Sequence, residues 1–412
     1  MRRFRSGLAF LVVVGACIST GQMAFAAASL RCNIAEHGAV GNGTTLNTTA
    51  IQAAIDECAS RGGGTLVVPK GEFVTGSLFL KPGVNLELQE GAVLKASTNI
   101  DDFPIKSGNR FEGHFEDWRA AIVNAEKTDH LRVMGPGTID GNGPVYWRMH
   151  TPNGRPRNLF VRDSSDVVVS GVHFKDSASW NLHFYNCKNV TVENSRFEIP
   201  AGSPGPSTDG IDIDSSQNVT VRHCYFSVND DCVCLKGNRY DGLNQKPASP
   251  PVQHVRVTEC TFARGMGALT LGTEATEIHD VEFDHSTVTG RMPMLRLKMR
   301  PDTTGQHYQN VRVHDIKLDG TGKVLSWEPT HGTKAKAKPP LGVIENIVVS
   351  NITGSFGSFG SIAGNDNSAV KNIVLKNIDL KLQNPELNTS RTSGVVIKNV
   401  VINGRLFTLK NE

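Results

Sequence analysis

Short segments in which apolar and polar residues alternate recur along most of the chain. Each begins with a polar residue, commonly Asn or Asp, and continues with every second position apolar. This period of two residues is that of a β-strand, and the β-branched residues at the apolar positions favour strands. The clearest copies are SDVVVSGVHF from Ser165, KNVTVENSRF from Lys188, QNVTVRHCYF from Gln217, QHVRVTECTF from Gln253, HDVEFDHSTV from His279, QNVRVHDIKL from Gln309, ENIVVSNITG from Glu345 and KNIVLKNIDL from Lys371.

These copies are unevenly spaced. The intervals are 23, 29, 36, 26, 30, 36 and 26 residues along Val167, Val190, Val219, Val255, Val281, Val311, Ile347 and Ile373. A repeat of this length predicts a solenoid whose coils bury their apolar faces against one another. One clear strand per repeat favours an all-β parallel β-helix over a β-propeller, whose four-stranded blades need roughly 40–50 residues. Asn at the start of a repeat suits a left-handed bend between strands.

One segment has helical rather than strand periodicity. Residues 47–61 place Ile51, Ala54, Ile55 and Cys58 on one face, which predicts a short amphipathic helix capping the N-terminal end of the solenoid. Three polar or Pro-rich stretches are predicted to be loops that border a binding cleft, namely residues 100–119, 240–252 and 328–340.

The first 26 residues predict an export signal. Three arginines precede an apolar run from Leu8 to Ala16, and Ala24 and Ala26 fit a cleavage site for signal peptidase. We therefore expect residues 1–26 to be a signal peptide and residues 27–412 to form a single β-helix domain that is secreted, either to the periplasm or outside the cell. The net charge of +3 equals the charge of the signal's arginines, so the mature chain is near neutral. This balance argues against nucleic-acid binding; we also expect no membrane association, and a monomer.

The spacing of the cysteines does not indicate a metal site. Seven of the eight lie beyond the signal, and Cys32 with Cys58 is the best candidate for a disulfide. Cys224 and Cys260 occupy the same position in successive repeats, which suits either a ladder of thiols or a disulfide. No further Cys or His spacing completes a zinc site and no EF-hand is present, so neither a metal nor a cofactor is expected.

Acidic residues are concentrated in two segments one coil apart. Residues 207–216 contain Asp209, Asp212 and Asp214, and residues 229–238 contain Asp230 and Asp231. Because neighbouring coils lie about 4.8 Å apart, these carboxylates should be close together. Crowded carboxylates with separated pKa values are what the cleavage of glycosidic bonds requires. Asp214 also fits a bend residue bonded to its own backbone, and Asp212 fits either interpretation.

Cations follow within a few coils. Alternation around Leu295 and Leu297 directs Arg296, Lys298 and Arg300 outward, where they could bind the acid group of a uronic sugar or form an ordinary solvated face. Lys236 could contact a ligand or pair with an acid.

Strand alternation also leaves a conflict at the acids. It directs Asp212 and Asp214 outward but places Asp209 and Asp231 on the inward parity. Gly210 permits a kink that would reset the count for Asp209. For Asp231 the sequence shows no comparable kink.

Taken together, these motifs resemble glycoside hydrolase family 28, the polygalacturonases. The family's Asn-Thr-Asp, Asp-Asp, Gly-His-Gly and Arg-Ile-Lys motifs appear in the same order as Ser207-Thr208-Asp209, Asp230-Asp231, Gly265-Met266-Gly267 and Arg296-Leu297-Lys298. The resemblance covers nearly the whole mature chain and implies a right-handed, single-stranded parallel β-helix of the pectin-lyase type. It also implies inverting hydrolysis of galacturonic-acid-containing pectin.

The resemblance assigns roles to individual residues. It implies that Asp230 is the general acid, and that Asp209 and Asp231 position and activate the attacking water. Arg296 and Lys298 would bind the substrate around the scissile bond. Asp212, Lys236, His183 and Glu274 are further candidates for substrate binding.

Two departures from the family motifs widen the range of activities that the sequence could support. Met266 replaces the motif histidine and cannot relay a proton, and Ser207 replaces the usual asparagine. His183 or Glu274 could supply a substitute polar group. An exo-acting galacturonidase or a rhamnogalacturonan hydrolase becomes more plausible than an endo-polygalacturonase. Calcium-dependent β-elimination, as in pectate lyases, and carbohydrate binding without catalysis remain as alternatives.

Overall fold

The computed structural model describes residues 30–149, 151–238, 249–300, 303, 305–328, 342–366 and 368–409. The predicted signal peptide and most of the predicted loops 240–252 and 328–340 lie outside these residues. Successive strands pair in parallel with the third strand following, so that most coils contain three strands. The chain is thus a right-handed parallel β-helix, as predicted. No helix in the described part of the chain is long and apolar enough to cross a membrane.

Three parallel sheets run along the solenoid. Sheet I consists of Leu78–Leu80, Val123–Glu126, Leu159–Arg162, Leu182–Tyr185, Ile211–Asp214, Val233–Lys236, Leu269–Leu271, Leu295–Lys298 and Lys323–Glu328. Sheet II consists of Arg31–Asn33, Gly64–Val68, Val84–Leu88, Arg132–Met134, Ser165–Ser170, Lys188–Glu193, Gln217–Arg222, Val252–Thr258 and Glu277–Asp284. Sheet III consists of Asn42–Leu46, Gly71–Thr75, Ala92–Ala96, Thr138–Asp140, His173–Lys175, Arg196–Glu198, Tyr225–Ser227, Thr261–Arg264 and Thr287–Val288.

Four long strands complete the C-terminal coils and bend from one sheet into another. They are Gln306–Asp319, Gly342–Ser361, Ser368–Asn388 and Thr392–Ile402, and the short strand Arg405–Leu406 pairs antiparallel with the last of them.

The sequence repeats correspond to sheet II. Val167 pairs with Val190, and the register continues through each equivalent residue to Ile373. The coils differ in length between strands, but the strands themselves remain in register. The uneven intervals in the sequence therefore come from loops.

Left-handed bends begin the sheet II strands, as the Asn and Asp positions predicted. Asn310, Asn346 and Asn372 have φ values of 55°, 57° and 57°. Their side chains bond from coil to coil, Asn346 Nδ2 to Asn310 Oδ1 at 3.4 Å and Asn372 Nδ2 to Asn346 Oδ1 at 3.2 Å. Asn tolerates this conformation better than other side chains, and its amide satisfies the exposed bend.

One contiguous hydrophobic core runs inside the coils from Cys32 to Ile402. Aromatic rings stack along it, with Phe197 and Phe226 at 4.9 Å and Phe226 and Phe262 at 5.1 Å between centroids. Each stacked ring buries its faces against the coils on either side, so the core reinforces the register of the sheets.

The cysteines are all thiols among the described residues. The predicted disulfide between Cys32 and Cys58 is therefore wrong, although the two buried thiols are in hydrogen-bond contact. The alternative of a thiol ladder holds for Cys224 and Cys260, because the Cys224 N–H lies 3.4 Å from Cys260 Sγ.

The helix Thr48–Ser60 caps the N-terminal end, with the predicted face buried. Three short helices, Ile34–His37, Ile100–Asp102 and Gly143–Tyr146, lie in connections. The prediction of a loop over residues 100–119 is wrong in its secondary structure. Ile105–Phe111 and His114–Arg119 pair as an antiparallel hairpin around the two-residue turn Glu112–Gly113, in which both residues have positive φ, as tight hairpin turns require.

Candidate active site

The outer face of sheet I collects the charged residues singled out in the sequence. Parallel register aligns His183 with Asp212, Asp212 with Cys234, Cys234 with Thr270 and Thr270 with Arg296. The neighbouring column contains Asp214 beside Lys236, and Lys298 beside Glu328. The predicted carboxylates and cations therefore share one surface.

Asp231 is held by three donors. Its Oδ1 accepts hydrogen bonds from Thr270 Oγ1 at 2.8 Å and Arg296 Nη1 at 3.1 Å, and its Oδ2 accepts one from Lys298 Nζ at 2.7 Å. Burial raises the pKa of Asp231, but Lys298 and Arg296 outweigh that effect and hold the pKa well below its usual range. Asp231 is therefore a charged carboxylate at any ordinary pH.

Asp230, the adjacent residue, behaves in the opposite way. Burial raises its pKa, and the negative charge of Asp231 raises it further. Its Oδ1 accepts the Asp231 N–H at 3.0 Å. Two neighbouring carboxyl groups thus have pKa values pushed apart, which is the arrangement that separates an acid from a base.

Asp209 joins this pair from the preceding coil. A carboxylate oxygen of Asp209 lies within 4.8 Å of one of Asp231. Burial raises the pKa of Asp209 well above its usual value, and the charges of Asp212 and Asp230 add to the effect.

Bends before the sheet I strands resolve the conflict over strand parity. A Cβ on Gly210 would lie 2.8 Å from the Phe226 ring in the core, so Gly210 faces inward and Asp209 faces outward. Asp231 likewise precedes the strand Val233–Lys236 and contacts the outward Thr270. Alternation does not extend through such bends, and counting it from the strand was misleading.

Lys236 is the cationic centre of a second buried group. Its Nζ lies 3.7 Å from Asp212 Oδ1, 3.6 Å from Glu274 Oε2 and 4.8 Å from the centroid of the Trp180 ring. Burial lowers the pKa of Lys236, but Cys234, Glu274 and Asp212 outweigh it and raise the pKa well above its usual value. Lys236 is therefore a salt-bridge partner of the two acids, and its contact with a ligand stays a prediction.

The two acids around Lys236 differ. Burial raises the pKa of Glu274, but Lys236 and the Thr273 hydroxyl outweigh it and lower the pKa to about 2. Glu274 also pairs with Arg300 Nη1 at 3.2 Å. Asp212 has no hydrogen-bond partner among the described residues, and burial raises its pKa well above the usual value. Asp212 lies within a strand rather than at a bend.

Asp214 and His183 lie behind the acids. Arg110 of the hairpin binds Asp214 through Nε at 2.8 Å and Nη2 at 3.0 Å, so the interpretation of Asp214 as a residue bonded to its own backbone is wrong. His183 is fully buried, with Arg157 Nη1 2.5 Å from Nδ1 and Asp214 Oδ2 3.5 Å from Nε2. Burial lowers the pKa of His183 to about 3. In this arrangement the imidazole contacts protein groups and does not reach the surface.

The Gly-Met-Gly segment borders Asp230. The Met266 N–H donates to the Asp230 carbonyl at 2.9 Å, and the Met266 side chain is 51% exposed. A Cβ on Gly267 would lie 3.0 Å from Asp231 Oδ1, so glycine leaves room for the hydrogen bonds of Asp231. Ser207 has a φ of 54°, the left-handed conformation in which Asn is favoured.

Sequence reasoning missed several residues of the site. Glu328 binds Arg296 with two hydrogen bonds of 2.8 and 3.0 Å, which aligns the guanidinium toward Asp231. Thr270 could have been identified from its outward position in the strand register. Arg110 and Glu112 could not be found in this way, because the hairpin that carries them was taken for a loop.

A cation could in principle be bound by Asp209, Asp231 and Cys234, whose ligand atoms lie within 4.8 Å of one another. Lys298 and Arg296 already occupy the oxygens of Asp231, and burial raises the pKa of Cys234 well above its usual value. Hard divalent cations prefer a set of oxygen ligands. This donor set therefore suits proton chemistry better than metal binding.

Buried carboxylates that shift one another's pKa values on one sheet of a β-helix suit acid–base chemistry. The model of glycosyl hydrolases family 28 matches residues 58–402, and the chain belongs to this family. A probable polygalacturonase of Vitis vinifera is 30% identical over 72% of the chain and 61% of its own length. An exo-poly-α-D-galacturonosidase of Dickeya chrysanthemi is 28% identical over 78% of the chain and 62% of its own length. The chain thus spans less than two thirds of either relative.

Among solved structures, a hyperthermoactive exopolygalacturonase from Thermotoga maritima superposes with a TM-score of 0.72 at 21% identity. The superposition covers 92% of this chain and 93% of that one. This similarity supports the fold.

Proposed function

We propose that the protein hydrolyses glycosidic bonds of galacturonic-acid-containing pectic polysaccharide by an inverting acid–base mechanism, and that it acts from a chain end. The opposite pKa directions of Asp230 and Asp231, on a chain of glycosyl hydrolases family 28, carry this proposal. The names of the Vitis and Dickeya relatives support galacturonate-containing substrates.

In the proposed mechanism Asp230 donates its proton to the glycosidic oxygen as the bond to the anomeric carbon breaks. Asp231, with Asp209 beside it, accepts a proton from the water that attacks the opposite face of the sugar. Arg296 and Lys298 keep Asp231 charged and would bind substrate oxygens next to it. Burial and Asp231 raise the pKa of Asp230 without help from a histidine, so the Met266 replacement is compatible with an acid role.

The hairpin Ile105–Arg119 supports action from a chain end. Arg110 anchors it across sheet I to Asp214 and to the Gly237 carbonyl at 2.6 Å. Glu112, at the tip of the hairpin, lies near the buried group around Lys236. Burial raises the pKa of Glu112 most and the charge of Glu274 raises it further, whereas the charges of Lys236 and Arg300 lower it. A wall at this position would stop a chain from continuing past the acids. Lys236, Asp212 and Glu274 would bind or orient the sugar there, and His183 would support Asp214 from below.

The pattern of the first 26 residues supports a secreted protein, and we propose that residues 27–412 act outside the cytoplasm as a monomer. Periplasmic and extracellular locations both fit this pattern.

Product analysis tests the proposal. The purified protein would be incubated with polygalacturonate and with rhamnogalacturonan, each with and without chelator, and products followed by mass spectrometry and by NMR of the new anomeric proton. We expect saturated products, release of mono- or disaccharides from the start, inversion, and no effect of chelator. Long early products would reject exo action. Unsaturated, chelator-sensitive products would indicate a lyase, and tight binding without products would indicate a carbohydrate-binding protein.

A further inference from the structure

A pocket of about 540 Å³ lies between the hairpin and the start of the Asp209 segment. Its lining includes Ser179 and Ser207, which lie a few residues before the sheet I strands Leu182–Tyr185 and Ile211–Asp214 of two successive coils. It also includes the aromatic pair Phe111 and Trp118, stacked at 3.7 Å between centroids. This volume falls within the roughly 300–1,000 Å³ typical of small-ligand sites. Because Ser207 is two residues before Asp209, a sugar in the pocket would adjoin the acids.

Arg155 contributes a positive charge to the pocket. The side chain is half-buried, and its Nη2 donates to the Pro206 carbonyl at 2.8 Å. No carboxylate of the described chain pairs with it, and burial alone lowers its pKa from the usual value. By contrast, Arg296 and Arg110 bind Glu328 and Asp214. Burying a cation without a partner costs free energy, which an anionic ligand would recover.

Two acids, Glu112 and Glu116 of the hairpin, also line the pocket. A free anion such as phosphate would be repelled by these carboxylates, whereas a sugar acid offers one carboxylate for the cation and several hydroxyl donors for the acids.

We propose that this pocket binds the galacturonate unit on the Asp209 side of the scissile bond, with the Arg155 guanidinium holding the sugar's carboxylate and Glu112 accepting its hydroxyls. The proposal rests on the proposed function and adds a specificity-determining residue to it. It assigns Arg155 to recognition of the uronic acid and leaves catalysis to Asp230 and Asp231.

The test compares free and methyl-esterified galacturonate oligomers as substrates for wild type, Arg155→Gln and Arg148→Gln. Arg148 is an exposed arginine nearby in the chain that does not line the pocket, so Arg148→Gln is the matched control. We expect Arg155→Gln to lower kcat/KM for the free acid about 10–100-fold, mostly through KM, since a charged hydrogen bond is lost. The loss on the ester should be clearly smaller than the loss on the acid, and Arg155→Lys should restore part of the preference for the acid.

Equal losses on acid and ester would overturn the proposal, because they would assign Arg155 to supporting the Pro206 loop. Identical behaviour of Arg155→Gln and Arg148→Gln would overturn it as well. If wild type cleaves neither oligomer, the proposed function itself fails, and this outcome is distinct from the other two.

Discussion

Sheets I and II are built from the same coils but carry charge differently on their outer faces. On sheet II, Glu193 pairs with Arg222 at 2.5 Å with the guanidinium about half exposed. On sheet I, Asp231 pairs with Lys298 at 2.7 Å with both side chains nearly inaccessible. Exposed pairs are screened by water and contribute little, whereas buried charges shift one another's pKa values. The strand pattern is common to both faces, so the chemistry of sheet I comes from the burial of its charged side chains.

The largest expected difference between the faces concerns catalysis. Asp230→Asn should keep the fold and substrate binding but lower kcat on the order of 10²–10⁴-fold, because the asparagine cannot donate the acid proton. The matched change on sheet II is Glu193→Gln, which should leave kcat within about twofold and change stability by at most about 1 kcal/mol. Steady-state kinetics and circular dichroism measure both. Comparable kinetics in the two variants would remove Asp230 from the mechanism.

The next effect concerns stability. Arg110→Met leaves Asp214 charged and buried without its partner, and should lower the free energy of unfolding by about 3–5 kcal/mol. Replacing both residues, as Arg110→Met with Asp214→Leu, should recover most of that loss because neither member of the pair is left charged without its partner. Urea unfolding followed by tryptophan fluorescence measures the difference. A double variant no more stable than the single one would show that the loss comes from the missing anchor of the hairpin and not from the unpaired charge of Asp214.

A smaller effect concerns the pH dependence of activity. The proposed mechanism needs Asp231 charged and Asp230 protonated, so we expect activity to fall below the pKa of Asp231 and above that of Asp230. Lys298 lowers the pKa of both groups. Lys298→Met should therefore move both limbs of the kcat profile toward higher pH, and it should also reduce kcat. If neither limb of the pH profile moved, Lys298 would not influence the pKa values of Asp230 and Asp231.

The fold could be predicted further than the site. Apolar alternation reflects the core directly, so the residues aligned in the sequence, such as Val219 and Val255, are paired in the structure. The acids of the site could be named because they cluster in two segments. Their orientation could not be derived, since Asp209 and Asp231 lie on bends where alternation ends.

Long-range pairing explains the remaining misses. Arg110 and Asp214 are 104 residues apart, and nothing local to either residue indicates the other. The hairpin was missed because its strands lack the β-branched pattern and carry exposed polar residues such as Lys106 and Glu116. The error at Cys32 and Cys58 has a different origin, because proximity of two cysteines was predicted correctly but oxidation was not.

The smallest effect tests the asparagine bends of sheet II, whose side chains have no charge. Asn346 combines a φ of 57° with side-chain bonds to Asn310 and Asn372. Asn346→Gly keeps the left-handed conformation and loses only exposed hydrogen bonds, whereas Asn346→Ala must also accept a conformation that costs an alanine roughly 1–2 kcal/mol. The alanine variant should therefore be about 1–2 kcal/mol less stable than the glycine variant in urea unfolding, with kcat equal in both. Equal stabilities would mean that the ladder of side-chain bonds, rather than the backbone conformation, selects asparagine at these bends.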